Sequence, residues 1–321
     1  YTTHDMVGYK MVLGNFSFMP ILGKTFDYSV AHGREASEMI LIGDYNNPET
    51  QSQFAVLHQT KKASKEANDA PAKAMGGTGS TITDRWNTQY VSLFLARGFD
   101  EVKIRLEAGF ESGDTGIQNT SGDQVKLGGY GIALEVDFPR LESKTHWTLR
   151  AGVASGDNPD SSNYEGYHIN RNYDVAFLLF NHPLGRYDLL RSYAQRSPDR
   201  LNCTTGPCNA YSTDEALDDE SISNAIYISP KFVYNINERW DWVNTITWAQ
   251  LQTNPLADVG INVDKELGFE WDTGLAFRPH EKIMWINEIG VMFPGSAWSA
   301  ASRKYGNDVT YGVVSKAAIS F

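Results

Sequence analysis

Charged residues recur at every second position in several stretches, each set against an apolar residue on the other parity. In 101–112, Lys103, Arg105, Glu107 and Glu111 alternate with Val102, Ile104, Leu106, Ala108 and Phe110. Glu135, Asp137, Arg150, Glu266, Glu270, Asp272, Glu288 and Lys316 hold the polar parity in later stretches. Carboxylates and cations spaced this way can line a water-filled passage that sorts solutes by size and charge. They can also pair across neighbouring strands and fill an interior without opening it. Acids outnumber bases in the set, so an open passage would carry a mild cation preference.

The same residue types do not assemble a catalyst. There is no Gly-x-Ser-x-Gly elbow, no His-Glu-x-x-His and no phosphate loop, and the seven histidines are scattered. His146, on the polar parity of a strand, reads as an interior residue rather than a general base. Asp157, Asp160 and Glu165 in the 155–165 loop, and the acidic run at 214–220, are hard-cation ligands by type. Their spacing is not that of an EF-hand, and exposed acidic loops are ordinarily solvated. The chain is therefore read as a non-enzyme without metal or cofactor. Ser-Gly-Asp at 112–114, 121–123 and 155–157 marks strand-ending turns.

Strands must position these charges. A period of two is a strand with one polar and one apolar face. In 266–277, Leu267, Phe269, Trp271, Leu275 and Phe277 share the apolar parity; in 145–154, Trp147, Leu149, Ala151 and Val153 do; in 282–293, Ile283, Trp285, Ile289, Val291 and Phe293 do. A sandwich also alternates, but its apolar face rarely holds so many Trp and Phe opposite charges. With 8 Trp, 16 Tyr and 15 Phe in 321 residues, aromatics reach 12%. No run long enough for a transmembrane helix exists. The net charge of −11 argues against binding nucleic acid.

Connections alternate between tight and long. Tight ones fall at 98–100, 139–145, 236–238 and 278–281, and long ones at 61–86, 113–123, 155–173, 195–220, 253–264 and 294–309. This alternation predicts a transmembrane antiparallel β-barrel, or a barrel-like β-wall, of about fourteen strands (twelve to sixteen). The whole of 1–321 is one domain, with long extracellular loops near 61–86, 155–173, 195–220 and 294–309. An even count puts both termini on one side. Upstream, Met6–Phe18, Ser37–Tyr45 and Ser52–Gln59 read as strands, with 46–49 as a turn.

Segment 174–180 departs from the pattern. Read as a strand, it places Phe177 and Leu179 on one face and Ala176, Leu178 and Phe180 on the other, so both faces are apolar. Parity then asks for a turn at 181–185 and a further strand at 186–194. Either a plug covers the inner face, or Phe177, Leu178, Leu179 and Phe180 contact another subunit or lipid. Leu251, near a strand end, reads as more tolerant of a charge than Leu178. Gly128-Gly-Tyr-Gly131 allows a sharp bend or a close backbone approach. Cys203 and Cys208 supply too few ligands for a metal site and are expected to form a local disulfide in an oxidising compartment.

The last stretch, Thr310-Tyr-Gly-Val-Val-Ser-Lys-Ala-Ala-Ile-Ser-Phe321, resembles the closing strand of bacterial outer-membrane barrels, in which a C-terminal Phe is the assembly signal. Across 86–321 the chain resembles bacterial porin-like outer-membrane proteins. Arg171–Gly185 looks somewhat like strands of alginate-export-type channels. The two-faced apolar segment is similar to the PopA-type porin-like oligomers of predatory bacteria, in which several subunits form a composite wall around lipid. The resemblance implies the outer membrane of a Gram-negative bacterium, a signal peptide already removed, and contact with membrane lipid and lipopolysaccharide. It further implies a homo-oligomer that passes small hydrophilic solutes by diffusion. The alternative is a structural oligomer enclosing lipid, whose inner wall needs apolar residues where a porin needs charge.

Overall fold

The computed structural model describes residues 3–26, 36–64, 84–118, 122–138, 144–158, 161–170, 172–181, 221–255, 257, 262–301 and 308–320. They form one fifteen-stranded antiparallel sheet. Its strands are β1 (Thr3–Gly8), β2 (Met11–Leu13), β3 (Phe16–Phe26), β4 (Ala36–Asn47), β5 (Ser52–Ala63), β6 (Trp86–Phe99), β7 (Val102–Gln118), β8 (Gln124–Leu127), β9 (Tyr130–Phe138), β10 (Thr145–Ala154), β11 (Ala225–Asn237), β12 (Trp240–Leu251), β13 (Glu266–His280), β14 (Ile283–Pro294) and β15 (Thr310–Ile319), with a short helix α1 (Ser296–Ala301). The path runs in chain order from β1 to β15, with β2 paired only to β3 and β8 only to β7.

Two-residue turns close β6–β7, β11–β12 and β13–β14, where Phe99 pairs with Val102, Asn237 with Trp240 and His280 with Ile283. These turns lie at one end of the wall and the long connections at the other. The apolar parity read in the sequence is the outward one. Phe110, Trp147, Phe269, Trp271, Trp285, Ile289 and Phe293 all stand exposed on it. Aromatic pairs knit this face across strands, Trp240 stacking on Phe277 at 4.4 Å and Phe269 on Phe293 at 4.6 Å.

The other face curls around the returning segments 161–170 and 172–181. An added Cβ at Gly109 of β7 would meet Tyr167, and one at Gly312 of β15 would meet Leu178. Strands far apart in the path thus touch these inserted segments, which give the wall its barrel-like curvature. The hydrophobic core lies inside the curl, where Val175, Ala176, Leu178, Leu179 and Phe180 pack with Ile222, Tyr227, Leu251, Leu267 and Met292.

Four expectations change. Met6–Phe18 is not one strand: Leu13 pairs with Phe16 around Gly14-Asn15, with Gly14 at φ +60°. A two-residue turn of this kind suits a tight hairpin, because Gly and Asn accept positive φ. Thr3, which pairs with Phe26, therefore sits at the long-connection end, while Ile319, which pairs with Ile283, sits at the turn end. The described chain does not begin and end on one side. Second, 113–118 continues β7 as strand rather than loop. Third, 174–180 is not a strand but an inward turn, with Phe180 at φ +80°. Fourth, Leu251 is fully buried. The expected strand 186–194, Cys203, Cys208, Asp160 and Phe321 lie outside the described residues.

Candidate functional site

Alternation on β7 carries Lys103, Arg105, Glu107, Gly109 and Glu111 to the inner face. Antiparallel register then aligns Arg105 with Glu135 on β9, and Glu135 with Arg150 on β10. The Arg105 guanidinium donates to both Glu135 and Asp137. Arg150 Nε lies 3.3 Å from Glu135 Oε2, and His146 Nε2 lies 3.7 Å from Asp137 Oδ1. Thr148 donates to Asp137 at 2.7 Å. These charges are consumed in a cross-strand network, the second of the two readings the spacing allowed.

Glu270 and Asp272, two apart on β13, serve a different purpose. Leu178 N–H donates to Glu270 Oε1 and Leu179 N–H to Glu270 Oε2, both at 2.6 Å. Phe177 N–H donates to Asp272 Oδ2 at 3.3 Å. The carbonyl of Val175 accepts from Ser229 at 2.9 Å and Thr247 at 2.8 Å, and that of Asp174 from Arg150 Nη1 at 2.9 Å. The turn's backbone polar groups are thus held by wall side chains instead of a β-ladder, which satisfies them without exposing the turn. Its apolar side chains look both ways because the chain's own wall surrounds them. Their apolarity needs no second subunit to account for it.

Beside the turn lies a cavity of about 500 Å³, bordered by Arg150, Asp174, Lys231, Glu288 and Lys316. Glu288 and Lys316 are thereby brought together with β11. Glu266 is not. A bulge separates Gln250↔Glu266 from Ala249↔Gly268, with Gly268 at φ +100°. The extra residue reverses parity, so Leu267 turns inward and is buried while Glu266 is exposed off the inner row.

Sequence reasoning missed Ser229, Lys231, Thr247 and four tyrosines on this side. Tyr90 and Tyr167 lie 3.2 Å apart through their hydroxyls, as do Tyr173 and Tyr227. Ser229 and Lys231 share a parity around Pro230, a signal that was readable. The Gly128–Gly131 stretch does permit close approach: a Cβ at Gly129 would meet the Gly166 carbonyl at 2.7 Å. Asp157 is buried and accepts from Glu165 N–H at 3.0 Å, holding its own loop.

No family model matches the chain, and no curated protein does. Among solved structures, a NanC porin is similar with a TM-score of 0.37 at 10% identity, over 99% of each chain. The ferric enterobactin receptor PfeA, in complex with BCV-L6, is similar with a TM-score of 0.44 at 11% identity, over 93% of this chain and 43% of the receptor. OmpT, an outer-membrane protein of Vibrio cholerae, follows at 0.34 and 8%, over 99% and 95%. This chain spans less than half the length of the receptor.

Proposed function

We propose that this protein is a porin-like outer-membrane wall protein that works as a homo-oligomer, its copies joined edge to edge around lipid. The observation that carries the reading is the pair of open edges. Among the described residues β1 pairs only with β3, and β15 only with β14. In hydrocarbon, unpaired backbone groups are costly, so an open edge calls for a partner strand. Further support comes from the inner face of the N-terminal strands. Met19, Ile42 and Leu57 align in one row, and Ile21 and Ile40 in the next. The Met19 row continues through Ser92 to Gly109, beneath Tyr167. The outward face of the same strands carries Phe16, Phe18, Leu22, Met39 and Phe54 exposed. The middle of these strands is thus apolar on both faces, between inner rows that carry Asp44 at one end and Glu38 and Lys61 at the other, and such a band suits lipid on both sides.

The test uses Val7 on β1 and Val313 on β15, which are 72% and 71% exposed. In a Cys203→Ser, Cys208→Ser background, Val7→Cys and Val313→Cys chains with different tags are expressed together. Disulfide-linked heterodimers, with lipid retained in native mass spectra, are the expected result. A chain carrying both substitutions is the control: linkage within it, with no heterodimer between the singly substituted chains, would refute the shared wall. A second reading, the diffusion channel, draws on the charged cavity beside Lys231, Glu288 and Lys316. Steady conductance in planar bilayers, changed by Lys231→Glu, would favour it.

A further inference from the structure

We propose that a recess on the inner face, beside Glu107, binds an alkylammonium group. Glu107 sits on β7 in register with Phe94 on β6 and Ala133 on β9. At the next inner position Gly109 and Gly131 pair directly. The Tyr167 ring occupies the space over them: an added Cβ would lie 2.0 Å from its hydroxyl at Gly109 and 2.3 Å from Cε1 at Gly131. Toward the turn end the small Ala133 leaves a cavity of about 360 Å³, walled by Tyr90, Phe94, Tyr167 and Tyr173 and bordered by the Arg105–Glu135 ion pair.

The charge balance of this recess is uneven. Arg105 is engaged by Glu135 and Asp137, and Arg150 by Glu135. Among the described residues Glu107 pairs with no cation and accepts no hydrogen bond. A carboxylate therefore faces aromatic rings whose π-faces are themselves electronegative. An anion is repelled by both, and a neutral apolar guest would strip water from Glu107 without replacing it. A small metal ion would need more oxygen ligands than Glu107 provides. A cation with alkyl substituents satisfies all of the surfaces, its charge on Glu107 and its methyl or methylene groups on the rings. The volume lies at the low end of ligand sites, which run from about 300 to 1,000 Å³. That is room for a trimethylammonium group or a protonated amine with a short chain. The group can come from a lipid headgroup or from a free amine. The proposal stands whether or not the wall encloses lipid.

The experiment titrates choline chloride into the detergent-purified native assembly by calorimetry, against sodium chloride at matched ionic strength. Saturable binding is expected, weakened about tenfold or more by Glu107→Gln and by Tyr173→Leu but retained by Tyr173→Phe. Glu107 is exposed within the wall, so Glu107→Gln should fold; unchanged heat-modifiable mobility on gels verifies it. Equal choline affinity in wild type and Glu107→Gln, or heat no greater than that of sodium chloride, overturns the proposal. Native mass spectra after reconstitution in phosphatidylethanolamine or phosphatidylglycerol vesicles separate the sources. A phosphatidylethanolamine adduct displaced by choline, and weakened in Glu107→Gln, assigns the lipid headgroup. Choline binding without that adduct assigns a free amine.

Discussion

Glu270→Gln isolates what holds the inward turn in place. Glu270 is 0% exposed, and its two oxygens each accept one backbone N–H. Glutamine keeps the shape but has one acceptor oxygen; its amide nitrogen meets the other N–H donor to donor. One buried amide is then unsatisfied, at a cost of about 1–3 kcal/mol, and the surviving bond loses its charge assistance. Asp272 shares the face, so neutralising Glu270 also relieves repulsion between the two acids, which works in the opposite direction. We therefore expect a net loss of about 1–3 kcal/mol in the attachment of the turn. The apolar contacts of Leu178, Leu179 and Phe180 are untouched and still contribute about 1.5–3 kcal/mol each. The turn should consequently open more often yet remain docked on average.

Hydrogen exchange read by mass spectrometry on the detergent-solubilised protein measures this directly. Local opening free energy sets protection, and 1.4 kcal/mol corresponds to about tenfold. The amides of Leu178 and Leu179 should exchange about 5- to 150-fold faster in Glu270→Gln, with β6 and β7 unchanged. Glu111→Gln, on the same inner face but away from the turn, serves as control. Protection of 177–180 equal to wild type in Glu270→Gln would show that the carboxylate does not secure the turn.

Gly131→Ala should place a Cβ 2.3 Å from Tyr167 Cε1, an overpacking cost of about 1–3 kcal/mol visible as a lower midpoint in heat-modifiability gels. Ile246→Arg, at an exposed outward position, should cost about 2–4 kcal/mol in folding into vesicles if its height is the bilayer midplane; an unchanged folding yield would count against a lipid-facing surface there. Leu251→Asp should abolish folding, because the side chain is 0% exposed among Ala225, Tyr227 and Leu267 and an unpaired buried carboxylate is strongly unfavourable. Recovery of normally folded Leu251→Asp protein would contradict that placement.

Alternation made much of the wall legible. In β7, β10 and β14 the sequence period and the backbone pleat agree, so both face and register could be read from residue type. Where they disagree, a glycine is involved. Gly268 inserts the bulge that exchanges Glu266 for Leu267 on the inner side, and a lone glycine within a strand is the available warning. Gly14-Asn15 is a hairpin signal inside what looked like continuous strand. The inward turn had no local signal of its kind. A two-faced apolar run of six residues, Val175–Phe180, is compatible with a buried strand, and what rules that out is remote. The partners of its amides lie 91 and 92 residues away on β13. The Glu107 recess was half legible: the carboxylate lay on the predicted face, but Tyr167 and Tyr173 reach it from a connection that no periodicity describes.

The hairpin at Gly14-Asn15 has a consequence for assembly. It gives the wall one strand more than the sequence reading drew at that point, and so sets the direction of the first edge. β1 runs from the long-connection end, where Thr3 pairs with Phe26, toward the turn end. β15 also runs from long connections to turns, ending at Ile319 opposite Ile283. Two edges with the same direction cannot join as antiparallel neighbours. Whether β15 meets β1 of its own chain or of another copy inserted the same way, the seam is a parallel pair, slightly less stable per residue than its antiparallel counterpart. A cyclic oligomer uses that heterologous contact once per copy and leaves no edge exposed. In such an oligomer the copies would share a wall whose N-terminal strands are apolar on both sides in their middle rows and whose remaining inner face carries its own turn and ion pairs. On this geometry the cysteine pair at Val7 and Val313 should link chains in parallel register, with neighbouring cysteine positions on the two strands shifting together in the same direction. Efficient linkage in an antiparallel series would require an additional strand between the two edges and would break the proposed seam.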